Sequence, residues 1–405
     1  MYQTSSSKGQ ELVAQRMVKW FRKLGVDAWL VTSEYHDGER IVVVEDLKIL
    51  ERDPAVGIPT IRVSSYVARW PPRRIMLRNL VYALTTIEKS MGSIDAIITH
   101  STLWNGPVDV ATWVQWKRIY RVIDSSREPL PVFAHMCHYQ PPDPLRYSSY
   151  ERAYRIAWNT VLLTSVLRSC DLVLCTTPIE AEDLIGLGAS PERIHIYPGG
   201  LDDDVAKLID SAKPDLIIEK FRLPKDKKII AYLGTIEERK NPLAVVDIAA
   251  KLRHRSDIIF VIAGKPGDQW EKVVSRARDL DNVYVLGELS EEEKASLIRA
   301  SYLNIIMSRM EALGLTQIEF MYGGVPVITS AVYGQRWVVR DGIDGIHVRG
   351  PNDVEGAAKA IEMLVDNEDL RNRMSQNARE RAKQFLLSKL IPELIDRIKR
   401  VREVA

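Results

Sequence analysis

The sequence holds only three cysteines, Cys137, Cys170 and Cys175, and no two of them have the C-x-x-C spacing. A disulfide framework is therefore excluded, and the thiols read as reduced, mostly buried groups of a cytoplasmic protein. Charge of one sign is also missing. The 56 basic and 54 acidic residues leave a formal charge of +2, with no global field to hold nucleic acid. No apolar run reaches the length that spans a bilayer, and no secretory leader is visible. Low-complexity linkers are absent too. What remains is 405 residues of globular composition, too many for one core and suited to two or three domains.

The second half of the chain alternates clearly between apolar runs and helical periodicity. Strands are expected at 229–233, 258–262, 283–286, 303–307, 325–329 and 346–348, with helices at 243–252, 291–300, 315–322 and 354–364 between them. This pattern is that of a doubly wound α/β domain. Charged amphipathic helices follow at 368–385 and 390–404, with Pro392 in the first turn of the latter. In the first half, strands are expected at 28–32, 41–44, 60–63, 94–99, 132–134, 172–176 and 194–197, with helices at 12–24, 75–91 and 156–167. Thr177, Pro178 and Glu180 carry the capping grammar of a further helix start. A strand ahead of the first helix has to fit into Met1 to Ser5 or is missing. The glycine and acidic turn PGGLDDD, from Pro198, marks a boundary: residues 1–205 form one α/β domain, 206–385 a second, and helix 386–405 packs back on the first. The two face each other across a cleft.

The chain is organised around IIMSRMEALGLTQIEFMYGGVPVITS, Ile305 to Ser330. A buried strand leads through a glycine turn at Gly314 into a short helix that begins at Leu315, a usual place for an α/β sheet to hold an anion. Glu311 stands in the turn and Glu319 in the helix, about 7 Å apart along the axis by helical rise. That spacing suits a ligand with two polar parts. Glycines also close two other strands, at Gly234 in GTIEERKNP and Gly264 in AGKPGD, and Arg239 and Lys240 on that edge read as phosphate neutralisers or as a plain surface helix start. Neither glycine pattern is G-x-G-x-x-G or a P-loop, so dinucleotide and P-loop readings fail.

In the first half, His100, His135 and His138 stand at expected strand ends, the last two in PVFAHMCHYQPPDP. Imidazoles there can hydrogen-bond a substrate hydroxyl, serve as satisfied structural groups, or bind a metal, though no carboxylate recurs at ligand spacing. Gly9, read as a loop residue ahead of the first helix, is consistent with a ligand at backbone N–H groups or with a plain turn. RWPPRR, Arg69 to Arg74, reads as a non-helical basic segment that could face a phosphate, an anionic membrane or only solvent.

Glu311-Ala-Leu-Gly-Leu-Thr-Gln-Ile-Glu319 followed by GGVPVI resembles the signature of retaining glycosyltransferases of the GT-B fold, of the family 4 kind: two acids separated by seven residues around a glycine turn and helix. Lys240 resembles the family's lysine, PGGLD its interdomain turn, Gly9 its first glycine loop, and His138 or His135 its active-site histidine, with HYQPP favouring His138. The resemblance implies two Rossmann-like domains, a nucleoside diphosphate sugar as donor, and no metal or cofactor. By it Glu319 holds ribose hydroxyls, Lys240 and Arg239 the diphosphate, Glu311 the donor sugar, and His138 a sugar hydroxyl; Gly234, Gly264, Gly314 and Leu315 line the donor site. The acceptor is a small molecule, a glycan or a lipid-linked group, with peripheral membrane contact as a further partner; nucleic acid is not one, and oligomeric state is open. An inverting transferase, a nucleotide-sugar epimerase and a non-catalytic nucleotide-sugar-binding protein are the alternatives. The sequence departs from the family at Thr235, Ala312-Leu313 and Gly199, where arginine, Gly-Phe and asparagine are usual, and in the near absence of a strand before Gly9.

Overall fold

The computed structural model describes residues 8–36, 39–68, 74–125, 129–143 and 147–404. The chain divides into two compact units, residues 1–199 with 390–405, and residues 200–389.

The first unit opens with α1 (Lys8–Lys23) and β1 (Leu30–Ser33), then β2 (Tyr35–His36), β3 (Glu39–Arg40), β4 (Leu47–Leu50), β5 (Thr60–Val63), β6 (Ser65–Ala68) and β7 (Arg74–Leu77). After these come α2 (Leu80–Met91), β8 (Ala96–His100), α3 (Gly106–Ile123), β9 (Val132–Met136), α4 (Ser149–Trp158), α5 (Thr164–Ser169), β10 (Leu172–Cys175), α6 (Pro178–Gly186) and β11 (Ile194–Ile196). Its strands form a four-stranded parallel sheet in the order β11-β10-β9-β8, a separate three-stranded sheet, β1-β5-β4, and two antiparallel pairs, β2-β3 and β6-β7. The β10 strand is buried at every position, which explains its uninterrupted apolar run. Thr177 caps α6 as its sequence implies, its hydroxyl accepting from Glu180 N at 3.1 Å with Pro178 in the first turn.

Four expectations are corrected here. Residues 41–44 are not a strand, because the buried Glu34 carboxylate takes the Val44 amide at 2.8 Å in place of a ladder partner. Residues 75–77 belong to the antiparallel β6–β7 hairpin, in which Ile75 and Leu77 alternate inward, and the helix starts only after Asn79 in the left-handed region at φ 46°. The 156–167 helix is broken by a π turn at Asn159–Leu163. Gly9 lies inside the first turn of α1 and not in a loop before it, so the glycine-loop reading fails at that residue. Met1 to Ser5 and residues 69–73 of RWPPRR lie outside the described residues.

The second unit contains α7 (Asp203–Ser211), α8 (Asp215–Lys220), β12 (Lys228–Leu233), α9 (Pro242–Lys251), β13 (Ile258–Ala263), α10 (Trp270–Ala277), β14 (Val283–Gly287), α11 (Glu291–Ala300) and β15 (Ser301–Ile306). It continues with α12 (Leu315–Tyr322), β16 (Val327–Thr329), α13 (Gln335–Val338), β17 (Gly345–His347), α14 (Val354–Asp366) and α15 (Glu368–Ala382). One parallel sheet, ordered β14-β13-β12-β15-β16-β17, carries a hydrophobic core on each face. Ile230, Phe260 and Ile305 point to one side, and Ala231, Val261 and Ile306 to the other. The last helix, α16 (Leu387–Val404), begins three residues earlier than its periodicity suggests. Pro392 therefore stands in its second turn, where it removes one intrahelical donor.

Candidate active site

In the second unit the strand order reverses at the centre of the sheet, where β12 pairs with β13 on one side and β15 on the other. Loops leaving the carboxyl ends of two such strands diverge and open a crevice, the usual ligand position in this architecture. The loop after β12 carries Gly234, Arg239 and Lys240, and the loop after β15 carries Glu311 and Gly314. Gly234 donates its N–H to Ala263 O at 3.0 Å, while Gly264 has φ +144°, and a Cβ there would lie 1.8 Å from Gly234 O. Only glycine allows these two turns to pack backbone to backbone.

Charge is concentrated where the loops meet. The Arg239 guanidinium donates to Met310 O at 3.1 Å and to Glu237 Oε1 at 2.7 Å, and Arg309 N donates to Arg239 O at 2.8 Å. Lys240 Nζ is in direct contact with the Glu311 carboxylate, which also lies 3.7 Å from Arg239 Nη1. Both cationic side chains are only 20% exposed, and Glu311 10%. Burial, reinforced by the adjacent Arg239 charge, lowers the Lys240 ammonium to about 7. An anion entering the crevice thus meets two cations already fixed in place and competes with Glu311 for Lys240.

Glu311 is held from behind: Gly334 N donates to its carbonyl at 3.1 Å, and a Cβ on Gly334 would fall 1.7 Å from Ala312 O. Gly314, at φ 85°, turns the chain into α12, which starts at Leu315 with no side-chain cap. Glu319 is half-buried on that helix, between the buried Ile318 and Phe320. Sequence reasoning missed Glu237, the partner that orients Arg239; its place in GTIEERK, two residues before the arginine, is the signal that was there to be read. Around the crevice, Arg239 Nε, Ser308 Oγ and Gln317 Oε1 are buried polar atoms with no hydrogen-bond partner. Such groups are uncommon and attract a polar ligand or water.

The histidines of the first unit do come together. His100 Nδ1 lies 3.3 Å from His138 Nε2, with the rings stacked at 5.6 Å. His135 Nδ1 lies 2.8 Å from Thr99 Oγ1, and its Nε2 is buried without a partner. His138 adopts the left-handed region at φ 48°, a conformation costly for a non-glycine residue. Desolvation lowers His100 to about 4 and His135 to about 3, and pushes His138 well below 6.5, so the cluster is neutral at pH 7. The loop is set by a residue sequence reasoning had assigned only to capping. Glu180 accepts from Tyr139 N at 2.5 Å and from Thr176 N at 2.6 Å, and its burial raises its carboxyl to about 7. The Cys137 side chain points into the apolar core. Among the described residues no group of three or more His, Cys, Asp or Glu is arranged to hold a metal ion, and no helix is long and apolar enough to cross a membrane.

Comparison with known proteins covers both units. Residues 7–205 match the model of Glycosyltransferase Family 4, and residues 214–381 that of Glycosyl transferases group 1. The chain is 31% identical over 238 residues to the D-inositol 3-phosphate glycosyltransferase of Mycolicibacterium smegmatis, an alignment of 57% of this chain and 53% of that protein. With the D-inositol 3-phosphate glycosyltransferase 1 of Catenulispora acidiphila identity is 28% over 245 residues, 57% of this chain and 58% of that one. The chain thus spans little more than half the length of these relatives. Among solved structures, sucrose-phosphate synthase from Thermosynechococcus elongatus superposes with a TM-score of 0.70 at 19% identity, covering 96% of this chain and 92% of that one. Anabaena HepE in complex with UDP gives 0.71 at 15% identity, covering 98% of each chain. With each half matched by a model of the same class of protein and the whole fold shared with solved structures of that class, the chain belongs to the GT-B glycosyltransferases of group 1.

Proposed function

We propose that this protein transfers a hexose from a nucleoside diphosphate sugar to a hydroxyl acceptor with retention of anomeric configuration and without a resident metal. The observation that carries this reading is the meeting of Lys240, Arg239 and Glu311 at the strand-order reversal, where an anionic ligand belongs. A structure of similar fold has been solved with UDP and another with UDP-glucose, which supports a nucleotide-sugar donor.

In the reaction the bond from the sugar C1 to the diphosphate oxygen breaks and a bond from C1 to the acceptor oxygen forms on the same face. The acceptor proton passes to the departing diphosphate. The chemical burden is the charge that develops on that leaving group, and fixed cations in a water-poor crevice stabilise it without reorganising. Lys240 and Arg239 fill that role, the second through a guanidinium already oriented by Glu237. Glu311, displaced from Lys240, accepts from hydroxyls of the donor sugar, and Glu319 from those of the ribose; Gly234, Gly264, Gly314 and Leu315 let the nucleotide approach the backbone. His138, a neutral donor on a strained loop, binds a sugar hydroxyl; the more enclosed His135 orients the loop. The acceptor class is a small polyol, a glycan or a lipid-linked sugar.

A donor panel tests the proposal: purified protein is incubated with UDP-, GDP- and ADP-hexoses and an acceptor mixture, and product anomers are read by NMR. Retained product formed equally with and without EDTA is expected. Tight nucleotide binding with no donor consumed under any acceptor condition overturns the enzymatic reading, and an inverted product overturns the stereochemical one.

A further inference from the structure

His138 is the donor assigned above to a sugar hydroxyl, and its backbone stands in the left-handed region at φ 48°, where a side chain is penalised. Something must hold it there. Strands β9 and β10 run side by side as far as the Met136–Leu174 pair and then part. In the fork lies the fully buried Glu180 carboxylate, which takes one amide from each departing chain. Tyr139 N donates to Oε1 at 2.5 Å and Thr176 N to Oε2 at 2.6 Å, with the Thr176 hydroxyl also on Oε2 at 2.5 Å. The Tyr139 N–H belongs to the planar peptide unit that follows His138. Pinning it fixes ψ of His138, and so the orientation of the imidazole relative to the loop beyond.

Helix α6 itself does not require this carboxylate. The Thr177 hydroxyl already caps it by accepting from Glu180 N at 3.1 Å, and a glutamate in a first turn serves the helix dipole from solvent. Glu180 instead turns inward to a residue 41 positions away. The phenol end of Tyr139 is held as well, by Asn159 Nδ2 at 3.5 Å from the π turn between α4 and α5. Both amides on Glu180 can only donate, so each oxygen must keep a lone pair toward its N–H. An ionised carboxylate does this for both, whereas a proton on it places a donor among donors.

We propose that Glu180 is the positioning residue for His138: by holding the Tyr139 amide, its carboxylate keeps the imidazole where it donates to the sugar hydroxyl, which rests on the role given to His138 above. Burial pushes the carboxyl up to about 7, the bonds to Thr176 and Tyr139 oppose that, and Asp183 of the same helix adds to it. Cys137 after β9, Cys175 at the end of β10 and the Tyr139 phenol, beside Arg155 of α4, are held above their ordinary values by burial. His100, His135 and His138 are held below theirs, so none of these six groups changes charge near pH 7. Protonation of Glu180 as pH falls through that value releases the Tyr139 amide.

The test measures transfer kinetics, the Tyr139 amide proton shift and the melting temperature of the whole protein as wild type, Glu180→Gln, His138→Gln, the double variant and Thr176→Val. Glu180→Gln is expected to lower kcat by up to about tenfold, no more than His138→Gln does, with the donor KM within about twofold and the Tyr139 amide moved upfield. The double variant is expected to be no slower than His138→Gln alone, as for two residues acting through one group. Thr176→Val strips a hydrogen bond from the same carboxylate without touching Tyr139, and is expected to lower the melting temperature while keeping transfer within about twofold. In the wild type, kcat is expected to fall and the Tyr139 amide to move upfield together below about pH 7, a check that needs no variant to fold. Glu180→Gln at full rate beside a slow His138→Gln, losses that multiply in the double variant, equal slowing by Thr176→Val, or a Tyr139 shift that does not follow kcat would each overturn the proposal. His138→Gln at the wild-type rate overturns the role of His138 itself, and the proposal with it.

Discussion

The two units follow one plan and differ in their middles. The second has an unbroken six-stranded sheet, a core on each face, and charge gathered where its strand order reverses. The first has a four-stranded sheet apart from a three-stranded one, two short two-stranded ladders, a large apolar cavity between the two larger sheets, and a histidine cluster kept neutral by burial. The contrast is electrostatic: the unbroken sheet holds cations against a carboxylate, whereas the histidine cluster of the first unit is kept uncharged.

Core truncations give the largest contrast. Phe320→Ala, in the closed core of the second unit, is expected to cost about 3–5 kcal/mol by denaturant titration. Ile87→Ala, whose side chain already borders the cavity, is expected to cost only about 1–2 kcal/mol, because atoms facing a void have few partners to lose. Equal costs would break the comparison.

Transfer rates come next. Lys240→Ala is expected to lower turnover by about 10²- to 10³-fold with far-UV circular dichroism unchanged, while His138→Gln, which keeps a neutral donor, loses about tenfold or less. A larger loss at His138 would shift the catalytic burden to the first unit.

Acid should separate the units as well. His100, His135 and His138 have folded-state pKa values below the ordinary 6.5. The stability they contribute is complete above about pH 6.5 and is lost as pH falls toward 4 and 3, since the unfolded chain takes up protons the folded unit refuses. Hydrogen exchange at pH 5 is expected to show β8 and β9 opening before β12 and β13, and simultaneous opening would contradict this. In the opposite direction, nucleotide affinity should weaken above about pH 7 as the depressed Lys240 loses its proton, by at most tenfold per pH unit in calorimetric titrations. The smallest effect is expected at the exposed end of α3, where Trp116→Ser should change stability by less than about 0.5 kcal/mol.

The second unit was largely legible in the sequence because parallel strands covered on both faces must be apolar throughout, as Ile258–Ala263 is. The first was less so. Helix α3 hides its period because Trp116, Ile119, Tyr120, Val122 and Ile123 are exposed apolar residues that blur the stripe. Strand β7 reads in the sequence as the start of a helix because Ile75 and Leu77 satisfy either period at short length. Residue types at the candidate site were legible from Lys240, Arg239 and Glu311, but their partnership was not: Lys240 and Glu311 are 71 residues apart, and Tyr139 and Glu180 are 41 apart. Only the folded topology brings such pairs into contact.

Helix α16 has a consequence for how the molecule is made. Its residues from 390 onward belong to the first unit, where Arg402 pairs with Asp95 at 2.6 Å and Arg397 reaches Glu192 O at 2.7 Å. During synthesis all of 200–389 leaves the ribosome before those residues do, so the unit begun first is finished last. The first unit therefore cannot close until α16 has docked, and chaperone capture on chains shortened at residue 389 should map to the surface that α16 covers.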